Sequence, residues 1–342
     1  MPSGTGREKF AMSSASSLLT ESGVDLLGLG PATWKPPSLH AGDRVWPETN
    51  CYVDVWAELL PALGHPAEAA LGFTVLQDFE GDHFTFFKFP PDDLHSLFGL
   101  AVQELSIYDT VEIHVLEQLR RGRPVLIEVD SYWLPDATTT YRRQHAKTTL
   151  AAIALDPAAR RLGYFHNVGY HVLNGEDYDG LFRQPMAPGA MFPYVEFVKP
   201  CASALAGGAL VSASVDLLRR HLKRRPPTNP VTAWRAALPR HFEAMAARDM
   251  DYFHLYAFNL PRQLGANFEM LGTYLEWLGA NGQAGLAAAA AAGRRIAEAA
   301  KAVQFQLARM AHRRKFDENA VKLGPIETDY ELILTTLVAR FS

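Results

Sequence analysis

Residues 50–62 read Asn-Cys-Tyr-Val-Asp-Val-Trp-Ala-Glu-Leu-Leu-Pro-Ala. Apolar side chains at positions 52, 55, 56, 59 and 60 recur with the spacing of one face of an α-helix. Asn50 is a favoured N-cap residue, and Thr49 is the alternative. The stretch therefore predicts a helix that carries Cys51 in its first turn.

The sequence that follows this helix predicts strands and a hairpin. Residues 92–121 between the first two strands are predicted as two helical pieces. Asp156 and Pro157 supply a turn between two apolar runs, which predicts a hairpin with His145 at its entrance. The predicted strands are residues 83–89, 124–130, 146–155, 161–168 and 194–198.

The character of the chain changes after Pro200, where every segment has helical periodicity. Proline, glycine and asparagine separate the segments, for example at Pro261 and at Gly324-Pro325. The predicted helical segments are 202–224, 230–256, 262–280, 284–314 and 326–340.

These patterns predict an α+β fold with a helical C-terminal domain. Residues 1–22 are rich in Ser, Gly and Thr and are predicted to be mobile. We assign residues 23–200 to an α+β catalytic domain and residues 201–342 to an all-helical domain.

The composition narrows the function classes. The chain has 342 residues, 48% of them hydrophobic and 20% charged, with a net charge of −4. This balance favours neither nucleic acid nor an anionic membrane as partner, and we find no apolar run long enough to span a bilayer. Two cysteines 150 positions apart, Cys51 and Cys201, do not make a disulfide framework. With no basic region followed by an apolar core at the N-terminus, we expect a cytoplasmic protein.

Cys51 is the candidate nucleophile. At a helix N-terminus it faces backbone N–H groups and the positive end of the helix dipole, which favour the thiolate and can stabilise an oxyanion. The alternative is that Cys51 is a small buried hydrophobic residue. His145 is the candidate base, with a structural or surface histidine as the alternative.

The order of a Cys-bearing helix, a His at the head of a hairpin and an Asn on the returning strand resembles papain-like cysteine enzymes. The resemblance implies a catalytic set of Cys51, His145 and Asn167. It also implies that the sulfur of Cys51 faces His145 across a cleft.

Two features depart from the papain-like pattern. Such enzymes carry a Gln six positions before the Cys, where this chain has Val45, so Asn50 is the substitute candidate for the oxyanion hole. The His-to-Asn separation is also longer, so His166 and Asp156 compete with Asn167 as the group that orients the base.

Seven runs carry a second resemblance, which extends over roughly residues 30–340. They are RVWPETNCYVDVW (44–56), DFEGDHFTFFK (78–88), EVDSYWLPD (128–136), HAKTT (145–149), YFHNVGY (164–170), GED (175–177) and PRQLGA (261–266). They resemble an uncharacterised bacterial domain family commonly encoded near amino acid:carrier-protein ligases. The whole arrangement is also distantly similar to the butirosin-type acyltransferase, which moves an aminoacyl group from a carrier protein to an amine.

Charged residues near the candidate site suggest binding roles. Carboxylates would bind the free ammonium of a thioester-bound amino acid, or they are solvated turn residues. Lys147 shares a strand face with His145, while Arg262 and Gln263 reach the cleft or hold the two domains together. The candidate carboxylates are Glu80, Asp82, Glu128, Asp130 and Asp136.

The resemblances imply an aminoacyl or acyl transferase that forms a Cys51 thioester. Phosphopantetheine would come with an acidic carrier protein, docked on the basic runs at 219–225 and 313–315 unless these are solvated helix ends, and the enzyme needs no cofactor of its own. The acceptor would be a small-molecule or peptide amine. The rivals are a cysteine peptidase or amidase with the same residues and a non-catalytic carrier-protein-binding module. A zinc site made of His145, His166 and His171 has no supporting motif.

Overall fold

A computed structural model describes residues 23–184 and 191–342 of the chain. These residues form two compact units. The first unit contains residues 23–35 and 101–201, and the second contains residues 36–100 and 202–342. The segment 36–100, which the sequence interpretation groups with the sheet, therefore packs with the helical C-terminal part. Residues 1–22, expected to be mobile, lie outside the described residues.

The first unit is built around an antiparallel sheet, and seven strands occur among the described residues. The strand order is β2-β7-β3-β4-β5-β6, and β1 pairs with β4. The strands are β1 (Val24–Asp25), β2 (Leu100–Glu104), β3 (Val125–Asp130), β4 (Lys147–Asp156), β5 (Arg161–Phe165), β6 (Tyr170–Asn174) and β7 (Val195–Pro200).

The helices account for most of the rest of the described chain. The α-helices are α1 (Cys51–Ala62), α2 (Pro91–Phe98), α3 (Val111–Arg120), α4 (Gly175–Phe182), α5 (Gly207–Leu222), α6 (Pro230–Ala246), α7 (Met250–Ala257), α8 (Gln263–Ala280), α9 (Ala287–Arg313) and α10 (Gly324–Phe341). A π-helical turn, Phe258–Arg262, joins α7 to α8. No strand occurs in residues 202–342, so the predicted helical character of this part is confirmed.

The hairpin of β4 and β5 forms as predicted. Asp156 pairs with Arg161 in the antiparallel register, and the Asp156 carboxylate accepts a hydrogen bond from the N–H of Ala159 at 2.9 Å. Arg160 adopts a positive φ of 53° in the turn. The inner face of the sheet packs on α3, with Leu116 of that helix fully buried in the same core as Leu150 of β4. The pairing of β3 with β4 in this sheet brings the chain just before β4, which carries His145, next to the end of β3.

The predicted strand at residues 83–89 is wrong. The structure has only an isolated bridge between Phe79 and Phe84 there. Phe84, Phe87 and Phe89 are buried, whereas Phe86 is 42% exposed. The ring of Phe84 lies 5.5 Å from that of Trp234 on α6, edge to face. The aromatic residues are thus interleaved with exposed ones without pairing in a sheet, which is why the pattern misled. Conversely, the sequence analysis missed β1, β2 and β6.

Trp46 connects the chain before α1 to the C-terminal helices. Its indole is buried and donates from Nε1 to the carbonyl of Ala297 at 3.1 Å. The ammonium of Lys301, a residue of α9, lies 3.9 Å from the centroid of the Trp46 ring. The indole also lies against Gly265 of α8, where an added Cβ would come within 2.4 Å of Nε1. Gly265 is therefore required by the close approach of Trp46.

This packing predicts the effect of adding one methyl group. Gly265→Ala forces the buried indole to move, so we expect the free energy of unfolding to fall by about 1–3 kcal/mol. Gly279→Ala on the same helix is the control: nothing lies within 4 Å of its added Cβ, and alanine favours the helix by up to about 1 kcal/mol. Urea denaturation measures both, and equal stability of the two variants would contradict the packing argument.

Candidate functional site

Cys51 is the first residue of α1, as predicted, and its side chain lies in a half-buried position. Asn50 is the N-cap: its side-chain oxygen accepts from the N–H of Val53 at 3.0 Å. The Asn50 Nδ2 donates to the carbonyl of Phe87 at 3.1 Å. The misassigned segment 83–89 thus supports the cap. Cys51 therefore lies at the positive end of the dipole of α1.

Thr49, one residue before the cap, is held from two sides. Its N–H donates to the Asp54 carboxylate at 2.9 Å, and its Oγ1 donates to the same group at 2.7 Å. Its carbonyl accepts from Nε of Arg262 at 2.8 Å. A second nitrogen of Arg262, Nη2, donates to the carbonyl of Glu48 at 3.0 Å. Arg262 therefore holds the chain that leads into Cys51, a contact within the second unit.

Glu269 of α8 holds the same chain further upstream. Its carboxylate accepts from the backbone N–H groups of Val45 and Trp46 at 2.8 and 2.9 Å. Arg44 donates to Thr273 Oγ1 at 3.1 Å, also on α8. Val45, which occupies the place of the papain-like Gln, thus contributes a backbone anchor. Every contact in this group joins residues 44–49 to the C-terminal helices.

A buried histidine lies beneath this first turn. His40 bonds through Nδ1 to Glu58 at 2.5 Å, and its Nε2 lies 3.5 Å from Asp54. All three side chains are almost fully buried. Burial by itself lowers the pKa of His40, but hydrogen bonds to Asp54 and Glu58 and the charges of both carboxylates outweigh it and raise the pKa to about 9. His40 is therefore a buried imidazolium at neutral pH.

His145 is held by Asp130 in the first unit. The imidazole Nδ1 lies 2.5 Å from Oδ2 of Asp130. The other oxygen, Oδ1, accepts from the N–H groups of Tyr132 and Ala146 at 3.0 and 3.2 Å. The Tyr132 ring stacks on the imidazole at 4.5 Å. With Nδ1 donating to a carboxylate, Nε2 is the nitrogen that can accept a proton, and the side chain is 73% exposed.

The group that orients His145 is thus Asp130, and not Asn167, His166 or Asp156. Asn167 lies in the turn between β5 and β6 with a positive φ of 44°, and Asp156 caps the hairpin turn described above. The signal for Asp130 was available in principle. Asp130 ends β3 opposite Lys147, so the antiparallel register carries it close to His145, two residues before Lys147.

His166 belongs to a separate buried network. Its Nδ1 bonds to Asp136 at 2.5 Å, and its Nε2 bonds to Thr148 Oγ1 at 2.8 Å. Asp136 also accepts a hydrogen bond from Tyr164. Burial raises the pKa of Asp136, but the His166 hydrogen bond and charge, with His171 and Tyr164, lower it overall. Asp136 therefore belongs to this hydrogen-bond network.

Glu128 and Lys147 lie beside His145. The Lys147 ammonium is 2.7 Å from the Glu128 carboxylate. These two residues, with Asp130 and His145, line a groove of about 400 Å³ in the first unit. Its remaining lining residues are Val129, Ala146 and Pro193. Four predicted site residues are therefore brought together in one groove.

The other predicted binding residues lie in the second unit. Asp82 bonds to His83 at 2.7 Å on the surface, and Glu80 donates its N–H to the carbonyl of His83, so both belong to one turn. Arg240 donates to the carbonyl of Gly81 in that turn. Gln263 is buried, and its carbonyl accepts from Gln77 at 3.0 Å. These residues shape the second unit.

The two basic runs differ in their surroundings. The C-terminal end of α5 exposes Arg219, Arg220, Lys223 and Arg224, of which Arg219 pairs with Asp216 at 2.8 Å. In the run at 313–315, the central Arg314 donates to backbone carbonyls at the end of α6, including that of Met245 at 3.1 Å. The first run is a cationic surface, and the second is partly a structural link.

Two family models match the chain. One is the DUF1839 N-terminal domain, over residues 35–200, and the other is the DUF1839 C-terminal domain, over residues 207–339. The chain belongs to the DUF1839 family. No curated protein matches it. Cys51 and His145 both fall in the N-terminal DUF1839 match, whereas Arg262 and Glu269 fall in the C-terminal one.

Over residues 23–184 and 191–342, no helix is long and apolar enough to cross a bilayer. Within the same ranges, no group of three or more His, Cys, Asp or Glu side chains is arranged to hold a metal ion. His166 and His171, considered above for zinc, lie on either side of Asp136 in hydrogen-bond and charge contact with it.

His40 gives the DUF1839 protein a predicted pH dependence of stability. Its pKa is higher in the folded state than the ordinary value of 6.5, so its stabilising effect is complete below pH 6.5 and is lost as the pH rises through about 9. We expect this loss to be about 3 kcal/mol. Urea denaturation between pH 6 and 10 measures it. His40→Gln should be less stable at pH 6 and should lack this slope; a parallel slope in both proteins would contradict the assignment.

Proposed function

We propose that this DUF1839 protein is a cysteine-nucleophile acyltransferase with a papain-like catalytic arrangement. It takes an acyl or aminoacyl group from a carrier-protein phosphopantetheine thioester, through a thioester on Cys51, to an amine. The observation that carries the proposal is the His145–Asp130 pair, with Nδ1 and Oδ2 2.5 Å apart. A carboxylate that orients an imidazole at the head of a hairpin is the arrangement of a general base.

The first half-reaction uses Cys51 and His145. His145 Nε2 accepts the proton of the Cys51 thiol, and Sγ attacks the thioester carbonyl. The carbonyl carbon forms a bond to Sγ, the bond to the pantetheine sulfur breaks, and the imidazolium returns the proton to that sulfur. Asp130 stabilises the imidazolium. Backbone N–H groups of the first turn of α1 are the proposed oxyanion donors.

The second half-reaction releases the acyl group. An amine attacks the Cys51 thioester, and His145 accepts the proton that the amine loses. The carbon–sulfur bond then breaks and Cys51 recovers a proton from the imidazolium. Transfer between two thiols is nearly thermoneutral, so catalysis consists of positioning and oxyanion stabilisation. The pantetheine arm belongs to the partner, so the enzyme supplies no cofactor of its own.

Binding features support the same proposal. Glu128 lies in the groove with His145 and suits a substrate ammonium group, while Lys147 balances its charge. The cationic end of α5 suits an acidic carrier protein. Cys51 and Cys201 are not joined in a disulfide, which fits a reducing cytoplasmic setting. That Cys51 faces His145 stays a prediction of the sequence.

A labelling experiment tests the nucleophile. A carrier protein loaded with a radiolabelled amino acid should transfer label to the wild-type protein as a thioester. Cys51→Ser should abolish the adduct or leave a more stable ester, and His145→Ala should slow its formation by roughly 10²–10⁴-fold. Cys201→Ala, at the exposed second thiol, is the matched control and should label normally. If label persisted in Cys51→Ala and vanished in Cys201→Ala, the nucleophile would be Cys201 and not Cys51.

Replacing the orienting carboxylate tests the pair that carries the proposal. Asp130→Asn keeps the shape but favours the wrong imidazole tautomer, so the acylation rate should fall by roughly 10²–10⁴-fold. Asn167→Ala is the control and should change the rate by less than about threefold, because Asp130 holds Nδ1. The measurement is single-turnover acylation of Cys51 by mass spectrometry. A larger effect of Asn167→Ala would restore Asn167 as the orienting residue.

Water as the acceptor defines the rival hydrolase. His145 is 73% exposed, so water reaches the base as readily as an amine does. To separate the two hypotheses, the acyl-enzyme is isolated and incubated in two solutions, one of buffer alone and one of buffer with a primary amine. Transfer predicts that the amine accelerates loss of the label and appears in an amide product. Release at the same rate in both solutions, with free acid as the product, identifies a hydrolase.

A further inference from the structure

We infer that Arg262 and Asp54 are positioning residues for Cys51: together they fix the Thr49 peptide and, through it, the first turn of α1. The inference rests on the proposed role of Cys51 as nucleophile. Asp54 holds the N–H of Thr49, and Arg262 holds its carbonyl. Neither residue needs to touch the substrate in order to set where the sulfur lies.

The residues that lead into Cys51 are buried and held by hydrogen bonds. Thr49, Asn50 and Asp54 are each at most 1% exposed. The Asp54 N–H bonds back to the carbonyl of Asn50 at 2.9 Å, while its carboxylate reaches past the cap to Thr49. Because the N–H and the carbonyl of Thr49 are both held, the backbone torsions that could move Asn50, the N-cap of α1, are restricted. Nucleophiles need this degree of preorganisation, because small misplacements cost large factors in rate.

The π-helical turn explains how Arg262 reaches this position. Phe258–Arg262 form a π turn that contains Pro261, a residue without an N–H. One extra residue in the turn rotates the following side chains relative to a regular helix, and such turns are frequent at functional sites. The guanidinium packs 4.9 Å from the Phe258 ring centroid and is only 25% exposed. The irregularity thus aims one specific cation at the start of α1.

Arg262 also adds a positive charge beside the chain that enters α1. Its Nη2 lies 3.9 Å from the Glu48 carboxylate, and its Nε donates to the carbonyl of Thr49. Other charged groups of the second unit in this region include Asp54, Glu58, Glu269, His40, Arg44, Lys88 and Lys301. Removal of one cation from this region disfavours a nearby thiolate.

The test measures thiol reactivity in a Cys201→Ala background, so that Cys51 is the reporting thiol. Alkylation by iodoacetamide is followed from pH 5 to 10. For Arg262→Gln we expect roughly tenfold slower alkylation at pH 7 and a higher midpoint, because the charge and the Thr49 contact are both lost. Arg262→Lys keeps the positive charge but cannot bond to the carbonyls of Thr49 and Glu48 with two separate nitrogens. The pH midpoint of its alkylation should therefore return most of the way to the wild-type value. Thr49→Val removes only the Oγ1 bond to Asp54 and should slow alkylation by about two- to threefold without moving the midpoint.

The control is Arg295→Gln, which breaks the ion pair between Arg295 and Asp329 on the C-terminal helices and leaves the Thr49 contacts intact. It should alkylate like the background protein. Thermal unfolding of each variant separates loss of fold from loss of positioning. An unchanged rate and midpoint in folded Arg262→Gln would overturn the inference, and so would faster alkylation, which would show that Arg262 merely covers the sulfur.

This measurement needs no thioester substrate, so it separates the inference from the proposed function. A shifted midpoint in Arg262→Gln, together with no Cys51 acyl-enzyme in the wild type, supports the positioning of Cys51 and rejects the acyltransferase. An acyl-enzyme that forms normally in Arg262→Gln rejects the positioning role and leaves the acyltransferase standing.

Discussion

The hydrogen bonds on Thr49 are the constraint on which the candidate nucleophile depends. Asp54 takes the N–H of this residue from within α1, and Arg262 takes its carbonyl from the end of the π turn before α8. Glu269 adds two more backbone bonds upstream. A residue near position 50 is thereby placed by residues beyond position 260. These bonds join residues 36–100 to the C-terminal helices, so part of the N-terminal family match lies in the same unit as the C-terminal match.

In the first unit, the pairing register of two strands positions His145. His145 precedes β4, and Asp130 ends β3 on the neighbouring strand, so pairing of the two strands brings the carboxylate to the imidazole. Backbone N–H groups of Tyr132 and Ala146 hold the other carboxylate oxygen. A base presented on a paired strand end is more rigid than one on a free loop. Each unit therefore holds its own candidate residue through hydrogen bonds within that unit.

The local features were predictable because local rules produce them. The helix that begins at Cys51, its Asn50 cap and the turn at Asp156 follow from residue spacing and capping chemistry. Side-chain roles were less predictable. Asp130 was predicted to bind substrate, and the structure adds that its carboxylate holds His145. His166 was assigned to catalytic support and lies in a buried network with Asp136 and Thr148.

Periodicity and caps act within a few residues, so the amino-acid sequence was enough to predict the α+β class, the hairpin near His145, the helical C-terminal part and the place of Cys51 in a first helical turn. It could not predict which elements share a core, that residues 83–89 pack on helices and not in a sheet, or which groups hold Thr49 and His145. A hydrogen bond between residues more than 200 positions apart leaves no periodic pattern in the chain. Only packing brings Arg262 to Thr49.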